Sequence, residues 1–220
     1  LAKHVVIAGG GPAGMMLGLL LARAGLRATV LEKHSDFLRD FRGDTIHPST
    51  LEVLHELGLA EAFLRLPHQE VRELNAQFGP ERLKVAEFAG VGARYPFIAM
   101  IPQWDFLDFL AREGRRYPGF DLRMECGVEN LLFEDGGVAG VRTARDEIPA
   151  DLVVGADGRH STVRERADLE VLDLGAPIDA LWFRLSRTAG DPGETMARFD
   201  RGSILVMLNR GDYWQCAFVI

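Results

Sequence analysis

Apolar and polar positions give this chain two textures. In the first, short unbroken apolar runs alternate with segments at helical spacing. Val5–Ala8 is such a run, and continuous apolarity over a few residues fits a parallel strand buried on both faces. A helix is predicted over about Ala13–Ala24 with Gly25 as its stop, then a strand over Arg27–Leu31. Residues 35–47 are charged, carry Arg39, Arg42 and Gly43, and read as a loop. Pro48 opens a short helix with Leu51, Leu54 and Leu57 on one face, Gly58 ends it, and a further short helix runs to about Leu66. Helical spacing returns over 103–117 through Phe106, Leu107, Leu110 and Ala111. Asp121–Cys126 and Asp151–Gly155 read as strands, and Asp135-Gly136 joins Val128–Glu134 to Gly137–Thr143 as a hairpin.

The second texture is β-rich. Val71, Leu74, Ala76 and Phe78 precede a Gly79-Pro80 turn signal, and Leu83, Val85 and Phe88 follow it, which predicts a hairpin inserted between the helical segments. Beyond Leu174, strands are predicted at Ala180–Leu185, Met196–Phe199, Ser203–Asn209 and Trp214–Ile220. Phe183, Phe199, Met207 and Trp214 fall in them, and such side chains in strands read as core before they read as pocket wall.

Composition narrows the class. The chain has 220 residues, 47% hydrophobic and 26% charged, so it can bury a sizeable core. Its net charge of −7 and scattered basic residues, clustered only around Arg112–Arg116, argue against a nucleic-acid partner. Cys126 and Cys216 stand far apart and read as free thiols of a reducing compartment, the cytoplasm. The six histidines show no metal-binding spacing, and no metal site is expected. Val5–Ala22 is uncharged over 18 residues, yet the Gly9-Gly10-Gly11-Pro12 cluster inside it argues against a membrane span or signal peptide. No sequence feature specifies an oligomeric state.

Two phrases carry chemistry. Gly9, Gly11 and Gly14 have the G-x-G-x-x-G spacing between a strand and a helix that starts at about Ala13, just after Pro12. Gly9 permits the turn, Gly11 lets backbone approach a pyrophosphate, and Gly14 lets the helix pack closely on the strand. The helix N-terminus then faces the phosphates. Glu32, with Lys33 beside it, ends the second strand, where an acid bonds both hydroxyls of a ribose and disfavours a 2′-phosphate. The second phrase is Gly155-Ala156-Asp157-Gly158-Arg159, continuing to Ser161 and Arg164. Together they point to FAD rather than NAD.

With Arg42-Gly43 and Pro102-Gln103, these phrases resemble the FAD-dependent aromatic hydroxylases typified by para-hydroxybenzoate hydroxylase, over most of residues 4–174. The resemblance implies an α/β fold: a Rossmann-like FAD-binding domain of the para-hydroxybenzoate hydroxylase type with a partial β-rich substrate domain. It implies domains at 1–68 with 96–174 for FAD, and at 69–95 with 175–220 for substrate. It implies cofactor contacts at Gly9, Gly11, Pro12, Ala13, Gly14, Glu32, Lys33, Arg42, Gln103, Asp157 and Gly158, with Arg42 also in the catalytic role. The implied reaction uses NAD(P)H and O₂ to hydroxylate a small phenol-like aromatic. Related alternatives are a halogenase, an epoxidase or a reductase of the same fold, or an inactive FAD-binding module. The family's later Gly-Asp motif with its long helix is missing, since Gly211-Asp212 leads into Tyr213-Trp214; with Leu at position 1, this predicts an N-terminal fragment of a longer enzyme.

Overall fold

The computed structural model describes residues 3–38, 44–175 and 178–220. In chain order the elements are β1 (His4–Ala8), α1 (Pro12–Arg23), β2 (Arg27–Leu31), β3 (Thr45–Ile46), α2 (Pro48–Glu56), α3 (Ala60–Phe63), β4 (Gln69–Val71), β5 (Glu73–Phe78), β6 (Glu81–Glu87), a 3-10 turn (Ala89–Val91), β7 (Ile98–Met100), α4 (Gln103–Gly114), β8 (Phe120–Arg123), β9 (Val128–Glu134), β10 (Gly137–Thr143), β11 (Glu147–Pro149), β12 (Leu152–Gly155), α5 (Thr162–Arg166), β13 (Ala180–Ser186), β14 (Met196–Asp200), β15 (Ser203–Asn209) and β16 (Tyr213–Val219).

The fold is mixed α/β, in two compact units. Leu1–Arg39 with Gln103–Asp173 form one, and Asp40–Pro102 with Leu174–Ile220 form the other. The sequence-based division places 44–68 and 96–102 with the dinucleotide motif. In the structure β7 pairs with both β3 and β4, which ties those stretches to the second unit.

The first unit is built on a parallel sheet of order β12-β1-β2-β8. β1 is central and all five of its residues are buried, as its uninterrupted apolar run requires. Helices α1 and α4 pack together on this sheet, burying Met15, Leu19, Phe106 and Leu110. Gly18 makes that closeness possible: a Cβ there would meet Val30 Cγ2 at 2.6 Å. The antiparallel sheet β11-β10-β9 contributes Leu131, Val141 and Ile148 to a shared core with Val6 and Leu31. β8 stops at Arg123, short of the expected Cys126, because Glu125 adopts a left-handed φ of 51°. α4 likewise ends at Gly114 rather than 117.

The second unit holds a six-stranded sheet of order β13-β16-β15-β14-β5-β6. The hairpin expected over 70–88 is β5-β6, turning at Gly79 with φ 56°. β14 joins its edge in parallel, setting Phe78 opposite Phe199, with rings stacked at 4.7 Å. α2 and α3 bury Leu51, Leu54 and Phe63. A buried ion pair ties β7's neighbourhood to the β15-β16 turn. Arg210 Nη2 donates to Asp44 Oδ2 at 2.7 Å, and Arg210 Nε donates to Gln215 Oε1 at 2.8 Å. Both partners of the ion pair are almost fully buried, at 6% and 5% side-chain exposure. The Asp44 carbonyl also accepts from the Ile101 amide. Burial pushes the Arg210 guanidinium below its ordinary value, against the opposing pull of Asp44 and Tyr213.

Candidate functional site

The two sequence phrases meet at the carboxyl ends of β1 and β12. These strands pair in parallel with Ala8 opposite Gly155, and the Ala156 amide donates to the Ala8 carbonyl at 2.7 Å. β1 leads through α1 to β2 on one side, while β12 flanks it on the other. That reversal of direction is the topological switch point at which open α/β sheets bind ligands.

Glycine chemistry holds the crevice together. Gly9 has φ 106°, and a Cβ there would run into the Ala156 carbonyl and lie 2.8 Å from the Asp157 nitrogen. Its requirement is therefore the passage of the second phrase as well as the turn. A Cβ at Gly14 would collide with the Gly9 carbonyl, while one at Gly11 would meet nothing within 4 Å. Gly11 thus presents open backbone at the start of α1. That helix has no side-chain cap and no acid in its first turn, so its first N–H groups are oriented toward an external acceptor.

Glu32 is 7% exposed. Its Oε2 accepts from the Gly10 amide at 3.0 Å. Its Oε1 accepts from the His34 amide at 3.0 Å and from His34 Nδ1 at 2.5 Å. Two features escaped the sequence reading. Gly10, an unassigned position in the glycine spacing, must lack a Cβ because one would sit 2.7 Å from Glu32 Cβ. His34, two residues past the acid, orients the carboxylate.

Asp157 is held by its own helix. Its Oδ1 accepts from the Ser161 hydroxyl at 2.6 Å and its Oδ2 from the Val163 amide at 3.2 Å. Ser161 caps α5 by accepting from the Arg164 amide. The Arg164 guanidinium donates to the Arg159 carbonyl at 2.6 Å, which makes it a local brace.

A cavity of about 260 Å³ lies along these groups. Of the expected residues, Gly9, Gly11, Glu32, Lys33, Asp157 and Gly158 line it. His34, His160 and Thr162 are further lining residues that no motif had flagged. Pro12 and Ala13 are exposed at the first turn of α1, and Gly14 is buried behind it. Gln103 is half-buried at the start of α4 and does not line this cavity. Arg42 lies outside the described residues.

In the second unit, a cavity of about 420 Å³ opens against one face of the six-stranded sheet. Phe199 lines it, whereas Phe183, Met207 and Trp214 do not. Among the described residues no helix is long and apolar enough to cross a membrane. Cys126 and Cys216 are both buried and free.

Comparison with known proteins bears on this crevice. A family model described as an FAD binding domain matches residues 2–212. The chain is 32% identical over 194 residues to a 6-methylpretetramide 4-monooxygenase of Streptomyces rimosus, covering 84% of this chain and 46% of that protein. It is 32% identical over 189 residues to a rifampicin monooxygenase of Streptomyces venezuelae, covering 84% and 38%. The chain thus spans less than half the length of these relatives. A probable FAD-dependent monooxygenase of Pseudomonas aeruginosa, PqsL, shares the fold with a TM-score of 0.85 at 22% identity, covering all of this chain and 61% of that one.

Proposed function

The chain belongs to the FAD-binding domain family, and from that footing we propose that it holds FAD in the crevice between β1 and β12 and serves an aromatic monooxygenase. The observation that carries this reading is the convergence of Gly9, Gly11, Glu32 and Asp157 on one cavity at the switch point. The donor set fits the cofactor. Glu32, turned by Gly10 and His34, offers a carboxylate to the adenosine ribose, and the open N-terminus of α1 offers amides to the pyrophosphate. Gly158, with φ 85°, exposes backbone beside Asp157. By the family resemblance Arg42 lies near the flavin and its phosphates and Gln103 contacts the ribityl or pyrophosphate part, and Pro12, Ala13, Gly14 and Lys33 complete the cradle.

When bound, the flavin supplies redox chemistry: two electrons from NAD(P)H and one O₂ give one oxygen atom to the aromatic ring and one to water. The protein's own part is to orient the cofactor and keep water from it. We assign the first unit to FAD and the second to the aromatic substrate. The relatives named as monooxygenases support the activity, and the two free thiols support a cytoplasmic setting.

The test is an absorbance scan of protein incubated with FAD and desalted, with and without NADH or NADPH. Flavin bands that survive desalting, and bleach faster when a phenol is present, are expected. Flavin that washes away completely from folded protein refutes the assignment of the crevice.

A further inference from the structure

The 420 Å³ cavity in the second unit carries information on what the protein accepts. It lies against the face of the six-stranded sheet that presents Ala76, Phe78, Ala197, Phe199, Val206 and Leu208. The register sets Phe78 opposite Phe199 and Ala197 opposite Val206, so these side chains share one surface. The two phenyl rings stack on each other with only 8° between their planes, placing an aromatic pair in the cavity wall. Val71 of β4 and Ile98 and Met100 of β7 add further apolar surface.

Polar groups are sparse and mostly neutral. Thr45, Asn75 and Thr195 are its neutral polar residues, but Asn75 Nδ2 donates to Glu73 Oε1 at 3.1 Å and the Thr195 hydroxyl accepts from the Asn209 amide at 3.3 Å, so the wall is almost wholly apolar. Among the described lining residues there is no Lys, Arg, Asp or Glu, and His47 is the one ionisable side chain. A carboxylate entering such a wall loses hydration without gaining a fixed counter-charge. Size points the same way. An apolar cavity of about 150 Å³ accommodates benzene, and this one is far larger while falling within the range of drug-sized ligand pockets.

We propose that this cavity accepts an uncharged fused-ring aromatic of two or more rings and discriminates against carboxylates and against single rings. The proposal rests on the monooxygenase reading above and names the class of substrate that the same protein takes.

Three probes separate the possibilities: 2-naphthol, its acid counterpart 6-hydroxy-2-naphthoate, and phenol. Each is titrated calorimetrically into the 220-residue chain after incubation with FAD, with retained flavin recorded in the same samples. The expected result is 2-naphthol binding at least tenfold tighter than either other probe. Ala197→Phe, which fills the cavity from the sheet side, should weaken naphthol binding at least tenfold while flavin retention stays the same. Leu208→Phe tests the same point should Ala197→Phe not fold. Equal or tighter binding of the naphthoate or phenol overturns the inference, as does naphthol binding indifferent to a folded filling variant. Loss of flavin with the naphthol preference intact would instead overturn the cofactor assignment and leave the cavity's selectivity standing.

Discussion

Removing the Asp44 carboxylate should destabilise the protein far more than breaking an exposed ion pair would. In Asp44→Ala, Arg210 would keep its bond to Gln215 but lose the one counter-charge it has among the described residues, while remaining walled off from water. Its Nη1 is already buried without a hydrogen-bond partner, so among the described residues the guanidinium has no alternative acceptor in place. Stranding a buried charge in this way costs about 3–5 kcal/mol. For a chain of this length each kcal/mol corresponds to about 2–4 °C in Tm, so the expected fall is roughly 6–20 °C. The double variant Asp44→Leu with Arg210→Met removes both charges and replaces them with apolar volume. It should recover at least half of that loss, because no ion is left unpaired. Thermal unfolding followed by tryptophan fluorescence reads the effect, since Trp214 is buried in the same sheet. A fall below about 2 °C for Asp44→Ala, or a double variant no better than the single one, would refute the reasoning.

Three further outcomes follow from the crevice and its supports. Gly9→Ala should cost roughly 3 kcal/mol or more through its φ and the collision with the Ala156 carbonyl; a Tm within 2 °C of the parent would show that the backbone can yield. His34→Ala should weaken FAD binding about tenfold by freeing the Glu32 carboxylate, and leave binding of FMN, which lacks the adenosine, unchanged; an equal loss for both would rule out action through the ribose. His4 is buried, with Nδ1 donating to the Pro149 carbonyl and Nε2 facing the Thr29 hydroxyl. Desolvation, then Arg27, lowers its pKa from 6.5. The unfolded chain therefore takes up the proton first, so His4's contribution is full above pH 6.5 and is lost as pH falls through the folded value. His4→Gln should flatten the decline in Tm between pH 7.5 and 5, and identical slopes for the two proteins would discount this residue.

The sequence was most readable where one residue type has one physical use. Gly9, Gly11 and Gly14, the apolar run of β1, and the Asp135-Gly136 and Gly79-Pro80 turns all announced their local structure. Elements too short for periodicity stayed hidden. β3 has two residues and lies inside the expected loop, β7 and β11 have three each, and α5 has five. Ser161 was a usable cap signal for α5, but five residues give no hydrophobic face to corroborate it. At the site, Glu32 was legible because its position follows from the β-α-β geometry. His34 was not, since its contact depends on how the chain bends after β2. The ion pair of Asp44 and Arg210 joins residues distant in sequence, and only the pairing of strands brings them together.

The pairing of β5 with β14 also governs when this chain can fold. On the ribosome, Glu73–Phe78 emerges long before Met196–Asp200, the strand that covers its edge. β1 likewise waits for β12 after β2 has formed. Neither unit can complete its sheet before synthesis of the other has begun, so the two are interleaved in time. During that interval β5 carries an open edge on the side that β14 later covers, the kind of surface that recruits chaperones or neighbouring nascent chains. Slowing translation between β6 and β14 should therefore lower the yield of soluble protein more than slowing it between β15 and β16.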